Sequence, residues 1–298
     1  MKAKKHSKKK IRIKRDALLG YLMISPMLAA IGLLMIYPVF TGIRMSLFDP
    51  QDQWAGLQNY RMLFSESRFV TNIILTLLYT LIAVCLTVSL GLIAAHLVTE
   101  KGRFVHVLRP LLFLPWLIPS IASSIFFRAL FDANAGPVPG IVKAITGSTF
   151  IPLADEHFSM LAVVIHEVWR SLPFAMLFLA AGLTAIPGYL YEAAALDSAG
   201  KWKQFTCITL PCLKSHIFII TLMVTNGTLQ DSQSIYPLTF GGPGYSTETV
   251  GVRLFKTAFL YFEVNFASAL GVILLAIAAI FMLGYHKAMN MKEEVSYE

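Results

Sequence analysis

The charged and nucleophilic residues of the chain do not form a known catalytic motif. His166 and Glu167 begin the metal-binding pattern H-E-x-x-H, but Arg170 occupies the position of the second histidine. The sequence contains neither the phosphate-binding G-x-x-x-x-G-K-[ST] loop nor a G-x-S-x-G nucleophile turn. Three cysteines without paired spacing give no disulfide framework and no metal site. We therefore expect a protein that is not an enzyme and that itself binds no metal or cofactor.

His166, Glu167 and Arg170 lie in an apolar segment, where charged side chains are costly if the segment crosses a membrane. Glu167 and Arg170 are three positions apart, so they can pair on one face of a helix. A structural ion pair near the end of a membrane span explains the group, and a proton relay that includes His166 is the alternative interpretation.

A second polar group stands in the segment TNGTLQDSQSIYPLT, which follows a long apolar run. Its amides and phenol suit hydroxyl-rich solutes, because each group donates and accepts hydrogen bonds. The predicted substrate pathway consists of Asn226, Gln230, Asp231, Gln233 and Tyr236. Apart from the aspartate, these residues repeat every three or four positions, which predicts one shared helix face. A polar interface between two helices is the alternative interpretation.

The elements that must hold these residues are membrane helices. Hydrophobic residues make up 56% of the 298 positions and charged residues only 14%, against about 25% in soluble domains. Six continuously apolar stretches each reach the roughly 20 residues that cross a bilayer as a helix, and none alternates as a barrel strand would. The sequence therefore predicts an all-α membrane protein of about six transmembrane helices. The predicted spans are 17–43, 70–98, 104–130, 158–186, 212–236 and 262–284.

Positive charge gives the expected orientation. Nine of the first fifteen residues are Lys or Arg, and the apolar stretch that follows them is too long for a cleaved signal peptide. With the N-terminus inside, the inner segments hold seventeen Lys and Arg residues and the outer loops hold six. Both termini are therefore predicted in the cytoplasm, with tails 1–16 and 286–298 flanking a transmembrane domain 17–285. The basic tail fits anionic lipid, and without a folded basic face it does not indicate nucleic acid.

The fourth loop, residues 187–211, has the composition of a docking element. The stretch from Glu192 to Leu196 favours a short helix, and its three alanines leave a surface that a partner can approach closely. Gly200 is expected to end this helix, and a second short helix follows before Pro211 returns the chain to the membrane. Two short helices in a cytoplasmic loop are typical of a segment that lies in a groove of a partner protein.

This loop resembles the E-A-A loop of permease subunits from binding-protein-dependent ABC importers. The family pattern is E-A-A, three residues, Gly, nine residues, Ile, one residue and Leu-Pro, and the chain keeps every spacing. Ser198 stands where the family usually has glycine, and Gly200 is expected to supply the flexibility instead. The ATPase-coupling residues that the resemblance implies are Glu192, Ala193, Ala194, Asp197, Ser198, Gly200, Leu210 and Pro211.

Two further segments resemble maltose-type sugar permeases, namely LTFGGPGYSTET over 238–249 and WRSLPFAMLFLAAGLTAIP over 169–187. The resemblance implies a permease subunit of an ATP-driven importer that moves a sugar or oligosaccharide across a bacterial or archaeal cytoplasmic membrane. It implies as partners a second permease subunit, two ATPase subunits that use ATP and Mg, and an extracellular solute-binding protein. The alternatives are a secondary transporter driven by an ion gradient and an importer of another polar solute, such as glycerol phosphate.

Overall fold

The structure is a computed structural model and describes residues 17–18, 20–99 and 103–294. Within these ranges the regular secondary structure is helical, apart from one bridge between Phe48 and Trp54. The predicted tail 1–16 lies outside the described residues, as does the last part of the predicted tail 286–298. The helices are α1 (Gly20–Met45), α2 (Gln58–Ser65), α3 (Ser67–Thr99), α4 (Arg103–Leu117), α5 (Ser120–Leu130), α6 (Pro137–Thr146), α7 (Glu156–Ala185), α8 (Gly188–Leu196), α9 (Lys201–Leu229), α10 (Ile235–Thr239), α11 (Val250–Phe259) and α12 (Val264–Glu294).

The predicted architecture of about six transmembrane helices is confirmed. Helices α1, α3, α7, α9 and α12 are each long and apolar enough to cross a bilayer. Helices α4 and α5 together form the sixth candidate in the described ranges, and they meet at an angle of 103°.

The bend between α4 and α5 lies at Pro119, whose backbone is extended (φ −54°, ψ 139°) immediately before Ser120. Proline donates no backbone hydrogen bond and disfavours helical geometry in the residue before it, so the helix ends here. The predicted third span 104–130 therefore consists of two helices that meet at a sharp turn.

The predicted fifth span 212–236 is wrong at its end. Helix α9 stops at Leu229, and the chain leaves helical geometry until α10 begins. Asp231 provides the physical reason, because its Oδ1 accepts the backbone N–H of Ser234 at 3.0 Å. Such a local side-chain bond offers the backbone an alternative to the helix.

Helices α3 and α7 pack along their length and form the centre of the bundle. Gly91 of α3 approaches α7 so closely that a Cβ at this position would lie 2.7 Å from the Cβ of Ala175. Small residues permit such approach between membrane helices, where van der Waals packing is a main source of stability. Ala175 and Leu179 also pack in a buried cluster with Ile220 of α9, so a third span joins at the same place.

Asp155 fixes the first turn of α7. Its Oδ1 accepts the backbone N–H of Phe158 at 3.0 Å and that of His157 at 2.9 Å. These hydrogen bonds, above all the one from Phe158, hold the pKa of the Asp155 carboxyl below its ordinary value. Because α7 is continuous from this cap to Ala185, the cap sets the position of Glu167 and Arg170 along the bundle.

Helix α9 separates two ends of the bundle. Residues 187–211 lie at one end, which we call the E-A-A end. Residues 240–249, which contain Gly241-Gly242-Pro243, lie beyond the other end of α9, which we call the G-G-P end. The 20 helical residues from Leu210 to Leu229 rise about 30 Å, which matches the thickness of a bilayer core.

Helix α1 stands apart from the rest of the chain. No residue of its apolar stretch is buried within the described structure. Its second half, Tyr37–Met45, contacts α12. An apolar helix with so few contacts in its own chain must be covered by lipid or by a partner subunit.

Candidate functional site

A polar cavity of about 310 Å³ lies where two membrane helices are broken. One wall is the gap between α9 and α10, and another includes the first residue of α5, just after the bend. Irregular backbone at membrane depth is tolerated where it lines a cavity, because water or solute can then satisfy its polar groups. The cavity is lined by Ser120, Arg170, Gly227, Gln230, Asp231, Ser232, Gln233 and Ser234.

Asp231 is held at the cavity wall by two hydrogen bonds. Its Oδ2 accepts the hydroxyl of Tyr79 in α3 at 3.0 Å, and its Oδ1 accepts the Ser234 backbone N–H. Only 9% of the residue is exposed. The carboxyl group is therefore positioned both by a neighbouring span and by its own loop.

Arg170 reaches the cavity from α7 and pairs with Glu167, as the sequence predicts. Its Nη2 lies 2.7 Å from Glu167 Oε2, and the Ser171 hydroxyl donates to Glu167 Oε1 at 2.6 Å. His166 forms its hydrogen bond with a different helix, because its Nε2 lies 2.9 Å from Ser123 Oγ of α5. The arrangement fits the structural ion pair expected for this group and gives His166 a separate role in joining α7 to α5.

The structure brings together three of the five predicted pathway residues. Gln230, Asp231 and Gln233 line the cavity. Asn226 joins them indirectly, because its Oδ1 accepts the side-chain N–H of Gln230 at 3.0 Å. Tyr236 lies beyond the break, in α10, and does not line the cavity. The prediction that these residues share one helix face is wrong, since α9 ends before Gln230.

Five lining residues are absent from the predicted pathway, namely Ser120, Arg170, Gly227, Ser232 and Ser234. Pro119 is a signal that could have indicated Ser120, because a helix that starts beside a proline has free backbone N–H groups at membrane depth. No local pattern indicates that the face of α7 with Arg170 meets the end of α9, because this contact depends on the packing of distant segments.

An apolar groove of about 600 Å³ adjoins the polar cavity. Gln230 and Ser232 contribute to the walls of both. The other walls of the groove come from α1, α11 and α12, with Val39, Leu254 and Leu275 among the lining residues. The polar cavity therefore borders an open apolar face and is not sealed inside the bundle.

An ion cluster fastens the segment at the G-G-P end. The side chain of Glu248 has no exposed surface, and its carboxylate lies 2.5 Å from Arg68 Nη2 and 2.8 Å from Lys256 Nζ. The Asn72 amide donates to the Glu248 backbone carbonyl at 2.5 Å. These contacts tie residues 240–249 to α3 and α11, so the segment is firmly attached to the bundle.

At the E-A-A end, α8 and the first turn of α9 expose apolar side chains, with Leu196 88% and Trp202 76% exposed. Ser198 adopts a left-handed conformation (φ +56°) just after α8 ends. Gly200 is extended (φ −65°, ψ 161°) and precedes the next helix. The prediction that Gly200 ends the first helix is therefore wrong. Ser198 itself takes the conformation in which glycine is usual.

Known proteins match this chain along nearly its whole length. The family model for the binding-protein-dependent transport system inner membrane component matches residues 87–290. The trehalose/maltose transport system permease protein MalF of Thermococcus litoralis is 32% identical over 94% of this chain and 96% of its own length. The lactose transport system permease protein LacF of Rhizobium radiobacter is 29% identical over 92% of this chain and 95% of its own length.

The fold is similar to that of solved transporter chains. A chain of a bacterial ABC transporter that imports the acidic polysaccharide alginate matches with a TM-score of 0.83 and 20% identity, over 94% of this chain and 97% of that chain. An alginate transporter in complex with a periplasmic protein that holds an alginate pentasaccharide matches with a TM-score of 0.81 and 20% identity, over 92% of this chain and 94% of that chain. Because the family model matches more than half of the chain, this multi-pass membrane protein belongs to the binding-protein-dependent transport system inner membrane components.

Proposed function

We propose that this chain is the transmembrane permease subunit of an ATP-driven importer that moves a sugar or oligosaccharide across the cytoplasmic membrane. The observation that carries the proposal is the polar cavity at the meeting of two broken spans. Its lining offers amides, hydroxyls and a carboxyl group, which are the groups that hydrogen-bond the hydroxyls of a sugar. Relatives named for trehalose and maltose and for lactose support a carbohydrate solute.

The charges at the cavity favour an uncharged sugar. Arg170 brings positive charge to the lining, but Glu167 already binds its guanidinium group through Nη2 at 2.7 Å and Nε at 3.1 Å. Asp231 adds a second carboxyl group to the same region. An anionic solute such as glycerol phosphate would meet the Asp231 carboxyl group and one base that is already paired, so its binding is disfavoured.

We assign the E-A-A end to the cytoplasm, with both termini on that side. There α8, the following turn and the first turn of α9 form a coupling element that lies in a cleft of a separate ATPase subunit. The exposed side chains of Leu196 and Trp202 supply apolar anchors, and the alanines permit close approach. ATP, bound with Mg by the ATPases, then shifts the bundle between two states through this contact. The coupling set is Glu192, Ala193, Ala194, Asp197, Ser198, Gly200, Leu210 and Pro211.

We assign the G-G-P end to the outer face, where it meets a solute-binding protein. Glu248 fastens this segment to two helices, so a partner that docks there acts on the bundle directly. The alginate transporter of similar fold was solved with a sugar-loaded periplasmic protein, which supports such a partner. The unburied apolar stretch of α1 supports contact with a second permease subunit.

Uptake in a strain that lacks this chain tests the proposal. We expect deletion to abolish uptake of one neutral disaccharide among radiolabelled trehalose, maltose, lactose and diacetylchitobiose, the sugars for which relatives are named. A plasmid copy of the chain should restore that uptake, and uptake of radiolabelled proline should stay unchanged as a control. Unchanged uptake of all four sugars in the deletion strain would contradict the proposal.

A further inference from the structure

Four aromatic rings form a continuous series between the cavity loop and the surface at the G-G-P end. The centroid of the Tyr236 ring lies 5.2 Å from that of Phe240 and 5.0 Å from that of Phe255. The Phe255 ring lies 5.2 Å from that of Phe259. We call Tyr236, Phe240, Phe255 and Phe259 the aromatic ladder. Phe259 also lines the apolar groove that borders the polar cavity, whereas Phe240 and Phe255 line neither space.

The ladder begins beside the polar cavity. Gly251 of α11 lies so close to the cavity loop that a Cβ there would be 3.2 Å from the Gln230 carbonyl oxygen and 3.3 Å from that of Asp231. Phe255 and Phe259 follow at intervals of four residues, so they lie on the same side of α11, one and two turns further along. The second of these turns is about 12 Å from Gly251 along the helix axis. Phe259 is 63% exposed, so the ladder reaches the surface.

Hydrogen bonds to α3 give the direction of α11. The Val250 backbone N–H donates to Thr76 Oγ1 at 2.9 Å. One turn further, Arg253 donates to Asn72 Oδ1 at 3.0 Å and to Glu66 Oε2 at 2.5 Å. These partners lie successively nearer the start of α3, which is at the G-G-P end. Helix α11 therefore rises from the depth of the cavity towards that end and carries the ladder with it.

One feature indicates that the Phe240 end of the ladder faces a polar pathway and not lipid. The Arg128 guanidinium carbon lies 4.2 Å from the Phe240 ring centroid, and an exposed guanidinium is costly on a lipid face. Phe240 is the left-handed C-cap of α10 (φ +56°), and its side chain is 48% exposed.

We propose that the aromatic ladder is a stacking path along which the rings of an uncharged sugar pass between the outer surface and the polar cavity. The inference rests on the proposed function and adds Phe255 and Phe259 as substrate-contacting residues. The C–H face of a pyranose packs on an aromatic ring while its hydroxyls stay free for water or amides. Successive rings lie 5.0 to 5.2 Å apart, so the sugar makes a new contact before it loses the previous one.

Uptake by Phe255→Leu and Phe259→Leu variants tests the path in proteoliposomes that contain the whole transporter. The probes are trehalose, maltose, lactose and diacetylchitobiose, each supplied with saturating solute-binding protein. We expect each Leu variant to lower the maximal uptake rate about three- to tenfold, because a stacking contact is lost. Phe259→Trp keeps a ring and should stay within about twofold of wild type. Phe64→Leu removes a ring that is 61% exposed outside the ladder and should leave the rate unchanged.

Titration with the solute-binding protein distinguishes an effect on the passage of sugar from an effect on the docking of that protein. We expect its half-saturating concentration to be unchanged in the Leu variants. Wild-type rates in both Leu variants, or a Trp variant as slow as Phe259→Leu, would overturn the stacking path. A raised half-saturating concentration at normal maximal rate would make the rings a docking surface, and loss of co-purifying subunits would make them a subunit contact. If the wild-type transporter takes up none of the four sugars, the proposed function fails and the path with it.

Discussion

Gln230 is the residue at which the cavity, the groove and the end of α9 meet. It lines both spaces and donates a side-chain hydrogen bond to Asn226 at 3.0 Å. We expect Gln230→Leu to lower sugar uptake about tenfold, since about 1.4 kcal/mol corresponds to one lost hydrogen bond to the solute. Uptake per assembled complex in proteoliposomes measures the effect. Gln51→Leu, which changes an exposed amide outside the spans, serves as the control. A loss of complex assembly in Gln230→Leu would instead favour a polar helix interface.

Glu248 is expected to contribute to the stability of the fold. Its buried carboxylate compensates Arg68 and Lys256, so Glu248→Gln leaves two partly buried cations without an anion. We expect a loss of about 3 kcal/mol in stability, as is typical when one partner of a buried ion pair is removed. Thermal unfolding in detergent measures this loss. Glu263→Gln, an exposed acid at the same end, should have little effect, and equal melting temperatures for the two variants would contradict the role of the cluster.

The types of residue that line the cavity could be predicted from the sequence, but not every residue that lines it. Gln230, Asp231 and Gln233 stand out because polar residues so close to the end of an apolar run need a polar environment. Arg170 forms its local pair as predicted, yet its place in the cavity wall depends on how α7 meets α9. Contacts of this kind between distant segments leave no periodic signal in either segment.

At the scale of elements, the sequence predicts the long spans well and their breaks only in part. Apolar length alone indicates α3, α7 and α12, since any continuous apolar run of that length forms a helix in a membrane. Pro119 explains why the third span breaks, but hydropathy gives no indication of the 103° angle. The end of α9 at Leu229 is missed, because hydropathy cannot show that Asp231 takes the Ser234 N–H away from a helix.

The turn after α8 gives a prediction at the same scale. Ser198 has φ +56°, whereas Gly200 has φ −65°, and a Cβ added to Gly200 would meet no described atom within 4 Å. We expect Ser198→Gly to stabilise the turn by about 0.5–1 kcal/mol and Ser198→Val to destabilise it, because β-branched residues disfavour this conformation. Gly200→Ala should be tolerated. Limited proteolysis of the loop in membranes ranks the variants by how readily the turn is cleaved. Greater cleavage of Gly200→Ala than of Ser198→Val would contradict the conclusion that Ser198, and not Gly200, holds the left-handed position.

For the whole molecule, the proposal places energy input and solute handling at opposite ends of the bundle. Ala194 lies in α8 at the E-A-A end, so a bulky side chain there should hinder seating of the ATPase. We expect Ala194→Trp to reduce uptake about tenfold or more relative to ATP hydrolysed, since about 1.4 kcal/mol of lost coupling suffices for that factor. Ala144→Trp, the same change on an exposed helix far from α8 in sequence, is the control. Normal uptake per ATP in Ala194→Trp would count against the coupling role.

The source of energy is the most direct test of the whole account. Proteoliposomes that contain this chain, its partner permease and the ATPases would be supplied with sugar-loaded binding protein outside and ATP with Mg inside. The account predicts accumulation of the sugar that stops with a non-hydrolysable ATP analogue and persists when ionophores abolish every ion gradient. Accumulation that needs no ATP and collapses with an ionophore would contradict it and would identify a secondary transporter.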